Sequence, residues 1–381
     1  MGALKAVSQW FTVLYDDGRK GGLKNRKATK IGRFSLRFSW VAVTLQPKRN
    51  NTKTMEQLTK QNLRIVFMGT PEFAVGTLQA LVEGGYNVVA VVTQPDKPVG
   101  RHGSVLRAPA VKEYALAHGL PVLQPEKMKD PAFVEQLRQY KADIQVVVAF
   151  RMLPEVVWAM PRFGTFNVHA ALLPQYRGAA PINWAIINGE TQTGVTTFFL
   201  DQHIDTGRII LQKKFDIPDA ADVEYVYDGL MKLGAQIALE TLDKVIEGNG
   251  EVASAPQQET ETPLHAAPKI FKETCEINWQ QPAKRIYDFV RGLSPVPSAW
   301  TTLHHQQTVL ALKIYKTEKT GQKIGNEAIV PGTLRVEKNH LFVATSDEWL
   351  ELVELQLAGK KRMAARDFLN GMRDIENSLL K

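Results

Sequence analysis

The sequence LRIVFMGTPEF at residues 63–73 decides the fold class of this chain. It begins with a largely apolar run, and similar runs follow at residues 88–93 (VVAVVT) and 144–149 (IQVVVA). Strands that are apolar on successive residues are typical of a parallel sheet covered on both faces. The segments between them have helical patterning. This alternation predicts βαβ units and a Rossmann-like, open, mainly parallel sheet in an α/β domain.

The chain beyond this sheet divides into three predicted parts. Strands are expected at residues 165–169 and 195–200, followed by a long amphipathic helix at 223–246. Residues 248–268 contain few large apolar side chains and much Pro, Ala, Thr and Glu, which indicates an interdomain linker. After a helix at 283–291, short strand-like segments separated by turn residues predict a small C-terminal β-barrel or sandwich.

The net charge of +8 is concentrated at the start of the chain. Residues 1–54 have a net charge of +10, whereas residues 63–268 have −6 and residues 269–381 have +4. We therefore treat residues 1–62 as a basic leader that is disordered or outside the native protein. Its composition and the position of Met55 favour, in this order, a start site assigned too far upstream, an organellar transit peptide and a disordered basic arm.

Several classes of protein are excluded by composition. No apolar run approaches the roughly 20 residues that span a bilayer, so we predict no membrane-spanning role. Cys275 is the single cysteine, which rules out an internal disulfide and a cysteine metal cluster. No pair of histidines has the spacing of a zinc site, and we predict no metal.

The glycine after the first predicted strand invites a dinucleotide-binding interpretation. In the G-x-G-x-x-G fingerprint the second and third glycine positions after Gly69 would be occupied here by Pro71 and Ala74. Gly69 alone is better interpreted as a tight-turn residue, so no nicotinamide cofactor is predicted. The loop at residues 93–101 (TQPDKPVGR) follows the next strand, and it fits a ligand-binding loop and an ordinary solvated loop equally well.

The strongest chemical signal is FNVHAALLPQYRGAAPI at residues 166–182. Strand alternation places Asn167 and His169 on the same side, so an amide donor lies beside a group that moves protons near neutral pH. A histidine in a strand is more often a satisfied core residue, but the adjoining proline-ended loop and glycine turn favour a catalytic pair. Asp205, in Asp-Thr-Gly, is either a turn carboxylate or the partner that stabilises protonated His169.

These motifs resemble those of the methionyl-tRNA formyltransferases, within the wider family of 10-formyltetrahydrofolate-dependent formyltransferases. The resemblance extends over residues 63–381 and leaves out the leader. A single Asp-Thr-Gly tripeptide is weak evidence for a family, but the whole set of motifs in this order is highly specific. The matching stretches are residues 67–73 (FMGTPEF), 93–101, 166–181, 205–207 (DTG) and 355–371 (LQLAGKKRMAARDFLNG).

The resemblance implies catalytic roles for Asn167, His169 and Asp205. It implies that the formyl donor, 10-formyltetrahydrofolate, is bound by residues 171–174, which are Ala171, Leu172, Leu173 and Pro174. The family usually has Ser-Leu-Leu-Pro at these positions, so this chain lacks one hydroxyl group. We expect folate binding to survive, because the backbone groups and the other three side chains remain.

The resemblance also implies that the C-terminal part is an OB-like barrel that grips tRNA. Lys360, Lys361 and Arg362 form a basic cluster there, and the loop around Arg101 corresponds to the family's tRNA-acceptor loop, although its sequence differs. Without the resemblance, the cluster would be interpreted as a solvated charged surface. We therefore expect a catalytic domain at residues 63–250, a linker at 251–270 and a tRNA-binding domain at 271–381.

The function implied by the resemblance is formylation of the free amino group of methionyl-initiator tRNA. Rival hypotheses are a formyltransferase for glycinamide ribonucleotide or an amino sugar, and a non-catalytic RNA-binding module that kept the fold. The C-terminal domain and GKKRM favour tRNA, and the three site residues argue against a non-catalytic protein. We expect a cytoplasmic bacterial protein with no stable protein partner; organellar import of a precursor is the alternative.

Overall fold

The computed structural model describes residues 57–99, 105–258, 263–325, 329–372 and 374–381. Most of the leader, with Met55, and the predicted RNA contact Arg101 lie outside these ranges. Residues 57–62 were grouped with the leader in the sequence prediction, yet they belong to the fold. Leu58 is 6% exposed and packs in the hydrophobic core beneath the N-terminal sheet.

The N-terminal part alternates strands and helices, as the sequence predicts. Its strands are β1 (Ile65–Gly69), β2 (Val88–Val92), β3 (Lys97–Val99), β4 (Val105–Arg107), β5 (Val122–Leu123), β6 (Ile144–Val148), β7 (Thr165–His169), β8 (Arg177–Gly178), β9 (Gln192–Phe199), β10 (Ile209–Asp216) and β11 (Ala266–Ala267). Its helices are α1 (Glu72–Glu83), α2 (Ala110–Ala117), α3 (Pro131–Gln139), α4 (Glu155–Trp158), α5 (Pro181–Ile187) and α6 (Val223–Glu247).

Seven of these strands form one sheet in the order β10-β9-β7-β6-β1-β2-β5. The five strands from β7 to β5 are parallel to their neighbours, whereas β9 and β10 are antiparallel additions. Helices cover both faces: α1, α2, α5 and α6 pack on one core, and α3 and α4 on the other. The predicted mainly parallel α/β sheet is confirmed, and its burial on both faces explains the continuous apolar runs.

The turn from β1 into α1 explains the glycine that follows the first strand. A Cβ atom added at Gly69 would lie 2.6 Å from the Cβ of Ala74 and 3.1 Å from the carbonyl oxygen of Val148. Packing therefore requires glycine at this position, which agrees with its interpretation as a turn residue.

The C-terminal part is an antiparallel sheet with two helices. Its strands are β12 (Ala299–His305), β13 (Thr308–Lys323), β14 (Leu334–Glu337), β15 (His340–Ala344), β16 (Glu348–Leu357), β17 (Met363–Ala364) and β18 (Leu379–Leu380), and its helices are α7 (Ala283–Leu293) and α8 (Ala365–Gly371). The order is β14-β15-β16-β13-β12-β18, with β17 paired to β16. A bridge between Thr333 and Leu379 brings the two edges of the sheet together. This curled sheet confirms the predicted OB-like architecture.

Helices α5 and α7 join the two parts. Ile187 of α5 is buried in the core of the C-terminal part, and Asn183 Nδ2 donates to the carbonyl oxygen of Gly292 at 2.8 Å. Arg291 Nη1 donates to the carbonyl oxygen of Ala221 at 2.8 Å. Among the residues that the structure describes, no helix is long and apolar enough to cross a membrane.

Candidate active site

Strand β7 carries Asn167 and His169 near the carboxyl end of the parallel sheet. Phe166 and Val168 belong to the core that packs against α6, so Asn167 and His169 point to the other side of the strand. Asn167 is partly exposed, whereas His169 is 5% exposed and lies edge-on to the ring of Phe198. The two side chains are thus adjacent on one face, with the amide the more accessible.

The imidazole of His169 is held by a backbone carbonyl. Nε2 lies 2.9 Å from the carbonyl oxygen of Tyr176, which can only accept, so Nε2 carries the hydrogen. Nδ1 lies 3.8 Å from Oδ2 of Asp205, beyond hydrogen-bonding distance. In the neutral ring Nδ1 therefore has a free lone pair that faces a carboxylate and can accept a proton.

Asp205 is fixed by its neighbours in an uncommon backbone conformation. Its φ is +55°, in the left-handed region, and its Oδ2 accepts the backbone N–H of Gly178 at 2.9 Å. Two residues later, a Cβ atom at Gly207 would lie 1.6 Å from the carbonyl oxygen of Phe199. The Asp-Thr-Gly sequence therefore forms a turn that is packed too tightly for any other residue at Gly207.

Tyr176 supplies the carbonyl for His169 and is itself anchored. Burial and a hydrogen bond to Glu190 (2.6 Å) raise the pKa of its hydroxyl, so it stays a neutral phenol. Its backbone N–H donates to the carbonyl oxygen of His265 at 2.7 Å. The loop after His169 is thereby held by contacts on both its backbone and its side chain.

The predicted folate-binding loop is organised by a single hydroxyl. Thr196 Oγ1 donates to the carbonyl oxygen of Ala171 at 2.7 Å and accepts the N–H of Leu173 at 3.2 Å. Gln212 Nε2 donates to Thr196 Oγ1 at 2.9 Å and to the carbonyl oxygen of Leu173 at 2.8 Å. Ala171 and Leu173 are buried, while Leu172 and Pro174 remain partly exposed. Thr196 on β9 and Gln212 on β10 were not predicted as site residues from the sequence.

Much of the segment predicted as a linker is bonded to the loop that follows β7 and to the Asp-Thr-Gly turn. We call its described residues 255–258 and 263–268 the strap. Ala255 pairs with Ile209, and β11 pairs with β8 in parallel register. Gln257 bonds to Arg177 and to the Asp-Thr-Gly turn. Gln257 was not predicted as a site residue, because nothing in its local sequence pattern signals these long-range contacts.

The predicted tRNA-binding residues of the C-terminal part lie between β16 and β17. Lys360, Lys361 and Arg362 are all exposed. The guanidinium of Arg362 bonds Glu354 (Nε to Oε2, 2.9 Å) and lies 4.5 Å from the ring centroid of Tyr315. Among the described residues, no group of three or more His, Cys, Asp and Glu side chains is placed to hold a metal ion.

Two sequence profiles match the chain over both of its parts. The profile described as formyl transferase matches residues 63–242, and the profile described as formyl transferase, C-terminal domain, matches residues 269–373. The chain belongs to the formyl transferase family. The family predicted from the sequence motifs is therefore confirmed.

Named relatives match the chain over nearly their whole length. The methionyl-tRNA formyltransferase of Parabacteroides distasonis is 59% identical, with 84% of this chain and 98% of that protein covered. The enzyme of the same name from Bacteroides fragilis is 55% identical, with 82% and 96% covered. Among solved structures, HypX from Aquifex aeolicus in complex with tetrahydrofolic acid superposes with a TM-score of 0.53 at 18% identity, covering 80% of this chain and 46% of that chain. This last similarity concerns the fold alone.

Proposed function

We propose that this protein transfers the formyl group of 10-formyltetrahydrofolate to the free amino group of methionyl-initiator tRNA, giving N-formylmethionyl-tRNA for translation initiation. The observation that carries the proposal is the 59% identity to a methionyl-tRNA formyltransferase over 98% of that protein's length. The similarity includes the C-terminal domain, which matches its own profile over residues 269–373. A substrate as large as tRNA can contact this second domain in addition to the catalytic domain.

In the proposed reaction the methionyl amine attacks the formyl carbon, and the bond from that carbon to the folate nitrogen breaks. Asn167 donates a hydrogen bond to the formyl oxygen as negative charge develops on it, a contribution typically worth ~3 kcal/mol. Its partly exposed amide is accessible for this contact. The amine loses one proton and the departing folate nitrogen gains one, so the step needs a proton acceptor and a donor.

His169 is proposed to move this proton. Its Nδ1 carries the free lone pair, since Nε2 donates to the carbonyl oxygen of Tyr176. Asp205, 3.8 Å from Nδ1, stabilises the imidazolium that forms when His169 takes the proton from the amine. His169 then gives the proton to the folate nitrogen.

We propose that folate contacts the loop formed by Ala171, Leu172, Leu173 and Pro174. Leu172 and Pro174 are the partly exposed members, while Thr196 fixes the backbone between them. Ala171 is fully buried, so the hydroxyl that the family usually has there would be held inside the loop rather than at its surface. We therefore expect folate binding through the backbone and the two partly exposed side chains to be retained.

For tRNA we propose contacts from Arg101 and from the exposed cluster of Lys360, Lys361 and Arg362. Basic side chains bind phosphates with release of counterions, so affinity should fall as the salt concentration rises. Residues 63–250 are proposed as the catalytic domain, 251–270 as the connection and 271–381 as the tRNA-binding domain. We also propose a cytoplasmic location in a bacterium.

The proposal is tested by offering three amines with the same formyl donor. Purified protein is supplied with 10-formyltetrahydrofolate and, separately, with methionyl-initiator tRNA, glycinamide ribonucleotide or a nucleotide-linked amino sugar. We expect formylation of the charged tRNA, with little product from either small amine. Formylation restricted to a small amine would overturn the substrate assignment while leaving the family assignment intact.

A further inference from the structure

Gln257 occupies the centre of a four-bond clamp beside the proposed catalytic centre. Its Nε2 donates to two carbonyl oxygens of the Asp-Thr-Gly turn, those of Asp205 at 2.8 Å and Gly207 at 3.0 Å. Its Oε1 accepts from Arg177, at 3.1 Å from Nε and 2.6 Å from Nη2. All four hydrogen-bonding positions of the amide are thus used.

The clamp joins the two backbone segments that determine where Asp205 lies. On one side Gln257 holds the turn that contains Asp205, whose φ of +55° is uncommon for a residue with a side chain. On the other side it holds Arg177, and the next residue, Gly178, donates its N–H to Oδ2 of Asp205. Gln257 therefore acts on both the backbone and the carboxylate of Asp205.

Gln257 is itself held in place by the strap. Two residues before it, Ala255 exchanges both backbone hydrogen bonds with Ile209, at 2.8 Å and 2.9 Å. Further along, Ala266 and Ala267 pair with Arg177 and Gly178. The amide is consequently presented to the turn by a backbone that is fixed on both sides of it.

We propose that Gln257 is a positioning residue for formyl transfer, which keeps the Asp205 carboxylate facing Nδ1 of His169 without touching either substrate. This inference rests on the proposed function. The strap thereby contributes to catalysis, in addition to connecting the two domains. A glutamine is required because both donors and both acceptor positions are used at once.

Gln257→Glu is the discriminating variant. A glutamate retains the size of the side chain and an oxygen for Arg177, but it directs an acceptor at the carbonyl oxygens of Asp205 and Gly207. The turn then moves away. We expect kcat for methionyl-tRNA to fall about 100-fold, the scale of loss caused by small misplacements, with much smaller changes in KM for either substrate.

A double-mutant cycle with Asp205→Asn separates positioning from general damage to the fold. If Gln257 acts through Asp205, Gln257→Glu lowers kcat less than about twofold in the Asp205→Asn background. Gln257→Met removes the amide without adding charge, and its effect on kcat should depend on the Asp205 carboxylate in the same way. This second variant keeps the test available if the glutamate variant fails to fold. Gln258→Glu, at the exposed neighbouring position, is the matched control and should retain wild-type kcat.

Two results would overturn the inference. One is wild-type kcat in a folded Gln257 variant, and the other is an equal loss with and without the Asp205 carboxylate. Wild-type protein in the same assay tests the proposed function separately. If the wild type does not formylate methionyl-tRNA, the substrate assignment fails, whereas an active wild type with unaffected variants refutes the clamp alone.

Discussion

The side-chain amide of Asn167 is partly exposed and has no hydrogen-bond partner among the described residues. In our mechanism its contact with the formyl oxygen strengthens as the reaction proceeds. Asn167→Ala should therefore lower kcat by about 10²–10³-fold and change the affinity for folate little. Steady-state kinetics together with folate binding at equilibrium check this prediction. A variant with unchanged kcat would show that the oxyanion is stabilised by other groups.

The hydroxyl of Thr196 is expected to matter for folate binding rather than for proton transfer. Thr196→Val leaves the N–H of Leu173 unsatisfied in a buried site, at a cost of about 1–3 kcal/mol of unfolding free energy. Because this bond fixes the loop that we propose binds folate, KM for 10-formyltetrahydrofolate should also rise. Denaturant unfolding and steady-state kinetics measure the two effects.

Thr197→Val provides a matched control for Thr196. Thr197 is equally buried on the same strand, but its hydroxyl bonds Thr241 of α6 at 2.8 Å instead of the loop. We expect this variant to lose stability while KM for 10-formyltetrahydrofolate stays at the wild-type value. An equal rise in KM for both variants would mean that the loop is not held specifically by Thr196.

At the residue scale, part of the candidate site could be predicted from sequence. Strand alternation was sufficient to place Asn167 and His169 on one face, because it is a local property of the backbone. The support around them was not predictable in this way. The hydrogen bond from His169 to the carbonyl oxygen of Tyr176 depends on how the loop after β7 folds. Gln257 lies 52 positions from Asp205 in the chain, so no local pattern relates the two.

The Asp-Thr-Gly turn lies in the connection between β9 and β10 and carries Asp205. The carbonyl oxygen of Phe199 lies where a side chain at Gly207 would begin, so Gly207→Ala must displace the turn and Asp205 with it. We expect a loss of kcat similar to that of Asp205→Asn, accompanied by lower stability. Kinetics and thermal unfolding of both variants give the comparison.

Gly371→Ala serves as the control for this substitution. Apart from its chain neighbours and the backbone of its own helix, no atom of the described residues lies within 4 Å of the position that its Cβ would occupy, so the new methyl group meets no obstacle among them. Its kcat and unfolding temperature should match those of the wild type. If Gly207→Ala behaved like this control, the turn would be more adaptable than its packing indicates.

Among the elements, those with a strong local pattern were predicted well. The predicted strand at 165–169 coincides with β7, and the predicted helix at 223–246 differs from α6 (Val223–Glu247) by one residue. Strand β16 (Glu348–Leu357) and β8 with β11 were not predicted. Strand β16 pairs with its neighbour β15 as well as with the more distant β13, so its absence from the prediction is a missed local signal. Strands β8 and β11 pair with each other from distant parts of the chain and are two residues long, too short to show any alternation.

At the scale of the whole molecule, a buried charged pair links the two domains. Asp288 and Arg291 on α7 are 2% and 7% exposed and bond to each other, and Arg291 also reaches the carbonyl oxygen of Ala221. Arg291→Met would leave the Asp288 carboxylate buried with Lys284 as its remaining ionic partner. We expect a loss of about 3–5 kcal/mol in unfolding free energy, measured by denaturant titration.

Lys284→Met tests the same carboxylate from its solvent side. The Lys284 side chain is 50% exposed, so its ion pair with Asp288 is screened by water. We expect a loss below about 1 kcal/mol. Comparable losses for the two variants would contradict the view that Arg291, through its contact with the other domain, is the important partner.

The overall charge of the chain was the least informative sequence property. The leader has a net charge of +10, which exceeds the +8 of the whole chain because residues 63–381 are slightly acidic in sum. Leader residues up to 56 lie outside the part of the chain that the structure describes. The two-domain organisation carries more information, because the C-terminal sheet and its match to a family profile extend the similarity beyond a catalytic core.

The proposed mechanism depends above all on His169, which moves the proton during formyl transfer to methionyl-tRNA. The most direct test is a single-turnover measurement with saturating 10-formyltetrahydrofolate, comparing wild type with His169→Ala. We predict that wild type forms N-formylmethionyl-tRNA, whereas the folded variant forms it about 10²–10⁴-fold more slowly and binds folate with similar affinity. Formation at a near-wild-type rate by folded His169→Ala would show that His169 does not move the proton.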